Sequence, residues 1–265
     1  MQLATLHRLA QASSLAYLSI DKIPSSPYYQ TSQLQPILQV VDAQSESGAT
    51  VFLPRSPVDD SSVIVACRGS ANLKNFGTNL QFNLVPATKL SRSDVPPDGL
   101  IHEGFQDASL GLWGELRPKL FELLRDEEST RLKNVVFTGH SLGAATALLC
   151  SIHYTASLEN VFKPKPTVVS FGGPKLCNAS LARFLRNTAL SECDVLHLVH
   201  DKDPVLANNQ ILWDRLGFEN VGVEMECDPR NPTVYTEERS GGRSFAWNIV
   251  DHCYYMGVFV GPRVF

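Results

Sequence analysis

Four short apolar runs punctuate the chain, at 63–67, 135–138, 168–171 and 195–199. Each has the length of a strand and little polar alternation, the pattern of strands covered on both faces of a sheet. Between the first two, over 105–125, Ala108, Leu112, Trp113, Leu116, Leu120, Phe121 and Leu124 return mostly every three or four residues, which predicts a helix with one core-facing stripe. A second helical pattern runs over 144–157. A third opens the chain, where Leu3, Leu6, Leu9, Ala10, Ala16 and Tyr17 recur at helical spacing with His7, Arg8, Gln11 and Ser14 between them. Strands alternating with helices predict an α/β fold with a mostly parallel central sheet flanked by helices. Proline and glycine gather at 23–27, 85–99, 163–166, 227–232 and 241–242. These read as connections inside one domain spanning 1–265.

Composition narrows the classes of partner. Hydrophobic residues make up 43% of the 265 and charged ones 19%, so the chain can fill a core and is not disordered as a whole. Its net charge of −4, with no run of Lys and Arg, offers no field for a phosphate backbone, and nucleic acid is excluded as an expected partner. No stretch approaches the ~20 consecutive apolar residues of a membrane span, so a soluble protein is expected. The first helix lacks a continuous secretory core, which places the protein in the cytoplasm if Met1 is native and outside the cell if the sequence is that of a trimmed, secreted form. Six cysteines (Cys67, Cys150, Cys177, Cys193, Cys227, Cys253) form no CxxC pair, which argues against zinc and leaves their redox state open.

The chemistry is concentrated at Gly139-His140-Ser141-Leu142-Gly143, between a strand-like run and a helix-like one. As a bare pattern GxSxG arises by chance in about one chain in ten of this length. In this context it describes a sharp strand-to-helix turn, with glycines where side chains would collide and the serine hydroxyl lifted above the sheet. Leu142 then offers its backbone N–H to a developing oxyanion. A serine nucleophile needs a histidine base and an acid to orient it, in the order Ser, Asp, His along such a chain. Of seven histidines only His252 follows Asp203, the best acid candidate. Asp203 lies four residues beyond Val199 as Ser141 lies four beyond Phe137, which brings both to the carboxyl edge of a parallel sheet. Asp201 competes for the acid's role, whereas Asp194 stands at the wrong end of the same strand. Ser70, just past the run at 63–67, is the second oxyanion candidate. His197 and His200 lie three apart on one strand and point to opposite faces, so they do not converge on a metal ion.

Several stretches together resemble the class 3 lipase family, the fungal triacylglycerol lipases and feruloyl esterases of α/β-hydrolase fold. They are Val63-Ile-Val-Ala-Cys-Arg-Gly-Ser70, Asn75-Phe76 with Asn79-Leu80, Ile101-His102-Glu-Gly104-Phe105, Thr138-Gly-His-Ser-Leu-Gly143, Ser170-Phe-Gly-Gly-Pro174, Asp203-Pro-Val205 and Asp251-His252. The resemblance implies Ser141 as nucleophile, Asp203 as acid and His252 as base, with Ser70 and Leu142 as the oxyanion hole and a lid over 71–80. It implies a small-molecule ester or lipid substrate, transient contact of the lid with a lipid interface, and no cofactor or metal. Ala144 stands where many members carry another glycine, and Phe76 where lipases commonly carry tryptophan. The expected activity is hydrolysis of acylglycerol or other lipid esters through an acyl-enzyme. The alternatives are a feruloyl-type esterase on polar esters, acyl transfer to an acceptor other than water, and a non-catalytic lipid-binding descendant of the fold. In the lid, Leu73, Phe76 and Leu80 would form one narrow apolar stripe on a short helix whose other face is polar.

Overall fold

The structure is a computed structural model. It describes residues 1–56, 61–69, 83–125, 134–157, 165–200, 203–204, 206, 213–227, 235–237 and 250–262. Ser70, the lid segment 71–80 and Asp201 lie outside the described residues.

Five parallel strands form the middle of the main sheet: β3 (Ser62–Arg68), β6 (Asn134–His140), β7 (Pro166–Phe171), β9 (Val195–Val199) and β11 (Val223–Cys227). The first four coincide with the apolar runs of the sequence. β1 (Leu34–Val41) and β2 (Gly48–Pro54) extend the sheet antiparallel beyond β3, and β12 (Tyr235–Glu237) pairs antiparallel beyond β11. β1 does not stand out as an apolar run, because it interleaves Pro36 with Gln35 and Gln39 and is buried at few of its positions. Smaller pairings join β4 (Leu84–Pro86), β5 (Leu100–His102), β8 (Cys177–Asn178) and β10 (Phe218–Glu219) into a second sheet, and β13 (Tyr254–Tyr255) to β14 (Val258–Phe259) as a hairpin.

Alternation along the central strands divides the core in two. Val63, Val65 and Cys67 of β3, with Val135 and Phe137 of β6, face α3 (Glu103–Arg125) and α4 (Leu142–Ala156). Ile64, Ala66, Val136, Val169 and Phe171 face the other way, onto α1 (Leu3–Leu15) and the β13–β14 hairpin. The periodicity of the first helix predicts an apolar stripe with polar residues turned away, yet Gln11, Ser13 and Ser14 are buried as well. They have partners to meet there: the Ser14 hydroxyl donates to the Phe259 carbonyl (2.7 Å), and Ser13 shares a hydrogen bond with Thr138 of β6 (3.1 Å). His7 likewise donates from Nδ1 to the Met256 carbonyl (2.8 Å). α1 is thus docked by hydrogen bonds as well as by its leucines. Among the described residues no helix is long and apolar enough to cross a membrane, and all six cysteines are free thiols.

Candidate active site

β6 ends at His140 and α4 begins at Leu142, so the entire reversal of direction falls on Ser141. Its backbone takes φ 57° and ψ −128°, a region that L residues enter only when the surroundings force it. Those surroundings are explicit. The Ser141 N–H is held by the Phe171 carbonyl at 3.0 Å. A Cβ on Gly139 would lie 2.3 Å from the Gly143 carbonyl oxygen, and one on Gly143 would lie 2.3 Å from the Cys67 carbonyl oxygen, so strand and helix approach each other only as glycines. Leu142 is the first residue of α4, where backbone N–H groups have no acceptor within the helix and the helix dipole favours negative charge.

His252 reaches this edge from α6 (Val250–Cys253) and donates from Nδ1 to Asp203 Oδ2 at 2.7 Å, both side chains being fully buried. The same carboxylate accepts the Tyr255 hydroxyl at Oδ2 (3.1 Å) and the Leu206 N–H at Oδ1 (3.2 Å). Burial works against the charged Asp203, but the charge and hydrogen bond of His252, with the Leu206 N–H, outweigh it and hold the carboxyl below its ordinary range. Gly172, at φ +58°, gives this cluster room: a Cβ there would stand 2.7 Å from the Tyr255 hydroxyl and 3.1 Å from both Asp203 Oδ2 and His252 Nδ1. With Nδ1 engaged, His252 Nε2 has no partner among the described residues, nor does Ser141 Oγ; both atoms are buried.

The structure therefore brings Asp203 to His252 and leaves Ser141 and His252 each with one buried, unmatched polar atom. Ser70 and Asp201 are not among the described residues, though Gly69 beside Ser70 packs within a Cβ's reach of the His140 carbonyl. His197 and His200 diverge as their spacing predicts. His197 hydrogen-bonds Ser170 Oγ (2.5 Å) and the Val221 carbonyl, whereas His200 bonds the carbonyls of Cys227 (2.7 Å) and Tyr254. No cluster of three metal-ligating side chains occurs among the described residues. Sequence reasoning did not find Tyr255, Gly172 or the partners of His140. Only the position of Gly172 inside Ser170-Phe-Gly-Gly-Pro174 carried a signal.

A mostly parallel sheet flanked by helices, with a strand–Ser–helix turn at its carboxyl edge, is the α/β-hydrolase fold. The sequence model of the family Lipase (class 3) matches residues 64–208, and the chain belongs to that family. It is 25% identical over 213 residues to phospholipase A1-II 1 of Oryza sativa subsp. indica, covering 74% of this chain and 49% of that protein. Over 211 residues it is 24% identical to the lipase of Rhizomucor miehei, covering 76% of this chain and 54% of the other. The chain thus spans about half the length of these curated relatives. A solved triacylglycerol lipase whose catalytic centre is described as a serine protease triad superposes with a TM-score of 0.76 at 21% identity, over 97% of this chain and 95% of that one.

Proposed function

We propose that this chain hydrolyses carboxylic esters of lipids, acylglycerols foremost, through a covalent acyl-enzyme. Ser141 Oγ attacks the ester carbonyl while His252 Nε2 takes its proton; the alcohol leaves with that proton, and water repeats the sequence to release the acid. Asp203 fixes the His252 tautomer and stabilises the imidazolium. The N–H groups of Leu142 and Ser70 receive the oxyanion. The observation that carries this reading is the pair of orphaned atoms: a histidine oriented by a buried carboxylate, and a serine on a strained turn, each lacking a partner in a site closed to water. Membership of the lipase family and the names of the relatives, a phospholipase A1 and a lipase, support a lipid ester as substrate.

Because Ser141 and His252 are fully buried, substrate reaches them only when whatever covers the site moves. The segment 71–80 is the proposed cover, its Leu73, Phe76 and Leu80 stripe meeting the acyl chain or a lipid interface. Gly77 lowers the stability of a helix there by about 1 kcal/mol, so activity on dissolved short-chain esters is expected, with modest activation once tributyrin passes its solubility limit. A fluorophosphonate probe tests the chemistry. It should label Ser141 alone, and Ser141→Ala should abolish labelling and hydrolysis together. Labelling of another serine overturns the assignment, and rapid cleavage of methyl ferulate without cleavage of tributyrin or phospholipid overturns the substrate class.

A further inference from the structure

The side chain of His140, next to the nucleophile, points not into the cleft but toward α1, because along β6 it shares a face with Val136 and Thr138. It is fully buried and bonded at both ring nitrogens. Nε2 lies 2.7 Å from the backbone carbonyl oxygen of His252, and Nδ1 lies 2.9 Å from the hydroxyl of Tyr17, which follows α1. A carbonyl can only accept, so the proton sits on Nε2. Nδ1 is then an acceptor, and the Tyr17 hydroxyl donates to it. The same hydroxyl packs against Gly69, the residue before Ser70. A Cβ added at Gly69 would come within 2.3 Å of the Tyr17 hydroxyl and 2.6 Å of the His140 carbonyl oxygen.

We propose that Tyr17 and His140 are positioning residues, a buried neutral hydrogen-bond chain that runs from the Tyr17 hydroxyl, packed on Gly69, through the nucleophile's strand to the His252 backbone and sets the three loops of the site in register. The inference rests on the hydrolase reading above. Asp203 fixes the direction of the His252 ring through Nδ1, but a ring so held can still shift with its backbone. His140 anchors that backbone, and its own ring, 4.6 Å from the His252 ring, is held in one tautomer by the His252 carbonyl, with the Tyr17 hydroxyl donating to its other nitrogen. Burial, and next the charge of His252, push the His140 imidazole down to about 3. It therefore stays neutral when His252 accepts the serine's proton, and no second cation stands beside the imidazolium. A displacement of even 1 Å at a reacting group costs about a hundredfold in rate. Two hydrogen bonds and one tight packing contact that join the residue before Ser70, the nucleophile's strand and the base act on that distance directly.

The test uses Tyr17→Phe, which keeps the ring and removes the donor, with His140→Gln and His140→Asn. The glutamine amide can place an N–H near the position of Nε2, whereas the asparagine amide reaches only the position of Nδ1. Hydrolysis of p-nitrophenyl butyrate is followed, with active sites counted by fluorophosphonate titration so that kcat refers to folded enzyme. The chain predicts about a tenfold fall in kcat for Tyr17→Phe with KM unchanged within about twofold, the size expected when a buried acceptor loses its donor. It also predicts His140→Gln to be about tenfold faster than His140→Asn, and Tyr17→Phe to cost nothing further in the His140→Asn background. A lower melting temperature with an unchanged kcat per titrated site would reduce both residues to packing and overturn the proposal. So would equal rates for the two His140 variants. A wild-type protein inert to the probe and to every ester would instead overturn the hydrolase reading itself.

Discussion

The two faces of the central sheet are built on different principles. Toward α3 and α4 the sheet meets a layer where Leu112, Leu116, Leu120, Leu148 and Phe137 interlock, aromatic contacts such as Phe121 with Tyr154 fill space, and the buried hydroxyls of Ser109 and Ser151 bond carbonyls of their own helices. Toward α1 and the β13–β14 hairpin, aliphatic packing is interrupted by Ser13, Ser14, Tyr17, His7 and His140, each tied to a named partner. Apolar contact is non-directional and tolerates small shifts, whereas a hydrogen bond weakens within a few tenths of an ångström. One face thus holds the sheet together, and the other sets where the loops at its edge stand. The strained Ser141 turn lies at the junction, with α4 packed on the first face and His140 anchored on the second.

That contrast is sharpest in the effects expected when each face is altered. The largest belongs to Asp203→Asn, which should lower kcat by about 10⁴-fold by favouring the wrong His252 tautomer. Steady-state kinetics with circular dichroism as a fold control would check it, and a near-normal rate would remove Asp203 from the proposed site. On the apolar face, Leu148→Ala should cost about 3 kcal/mol in urea unfolding yet leave kcat per titrated site within about twofold, since it opens a cavity without touching a loop of the site. A matching loss of kcat would erase the distinction between the faces.

Acid should act on both faces, to different depths. His140 is held down to about 3, and His102 and His153 to about 4, burial being the leading cause in each case. A histidine whose folded value is depressed binds fewer protons than the unfolded chain, so its contribution to stability is intact above about pH 6.5 and is lost as pH falls toward the folded value. Across that window His140 adds the loss of stability that accompanies one proton taken up on unfolding. Melting temperature should drop between pH 7 and pH 5, and His140→Gln should flatten the drop. An unaltered slope in that variant would place the acid sensitivity elsewhere. The smallest effect is that of Tyr255→Phe, which removes one hydrogen bond to Asp203 and should lower kcat about fivefold, roughly 1 kcal/mol.

How far the sequence could be read follows the same division. The parallel centre was legible because strands covered on both faces have to be continuously apolar, as 63–67 and 135–138 are. The turn at Ser141 was legible because steric exclusion leaves a local trace, two glycines at fixed offsets. β1 was not, since an edge strand half open to solvent accepts Pro36, Gln35 and Gln39 without penalty. Asp203 and His252 could be named as candidates from chain order, but Asp201 was separated from Asp203 only by its offset from the strand, and it lies outside the described residues. The contacts of Tyr17 and Tyr255 left no mark at all. A tyrosine at the end of an amphipathic helix reads as one more apolar position, and nothing within a few residues of it signals a partner 123 positions away.

The docking of α1 also dictates the order in which this protein can be completed. His7 bonds the carbonyl of Met256, 249 residues further along, and Ser14 bonds that of Phe259. Such contacts close very large loops, and their entropic cost delays them in folding. During synthesis, at about 5–20 residues per second, the first helix leaves the ribosome many seconds before the hairpin it will grip. Throughout that interval His7 and Ser14 have only water for company, and the proposed base at His252 does not yet exist. A nascent chain arrested ahead of residue 250 would carry a nearly finished sheet and a formed serine turn with no means of activating it.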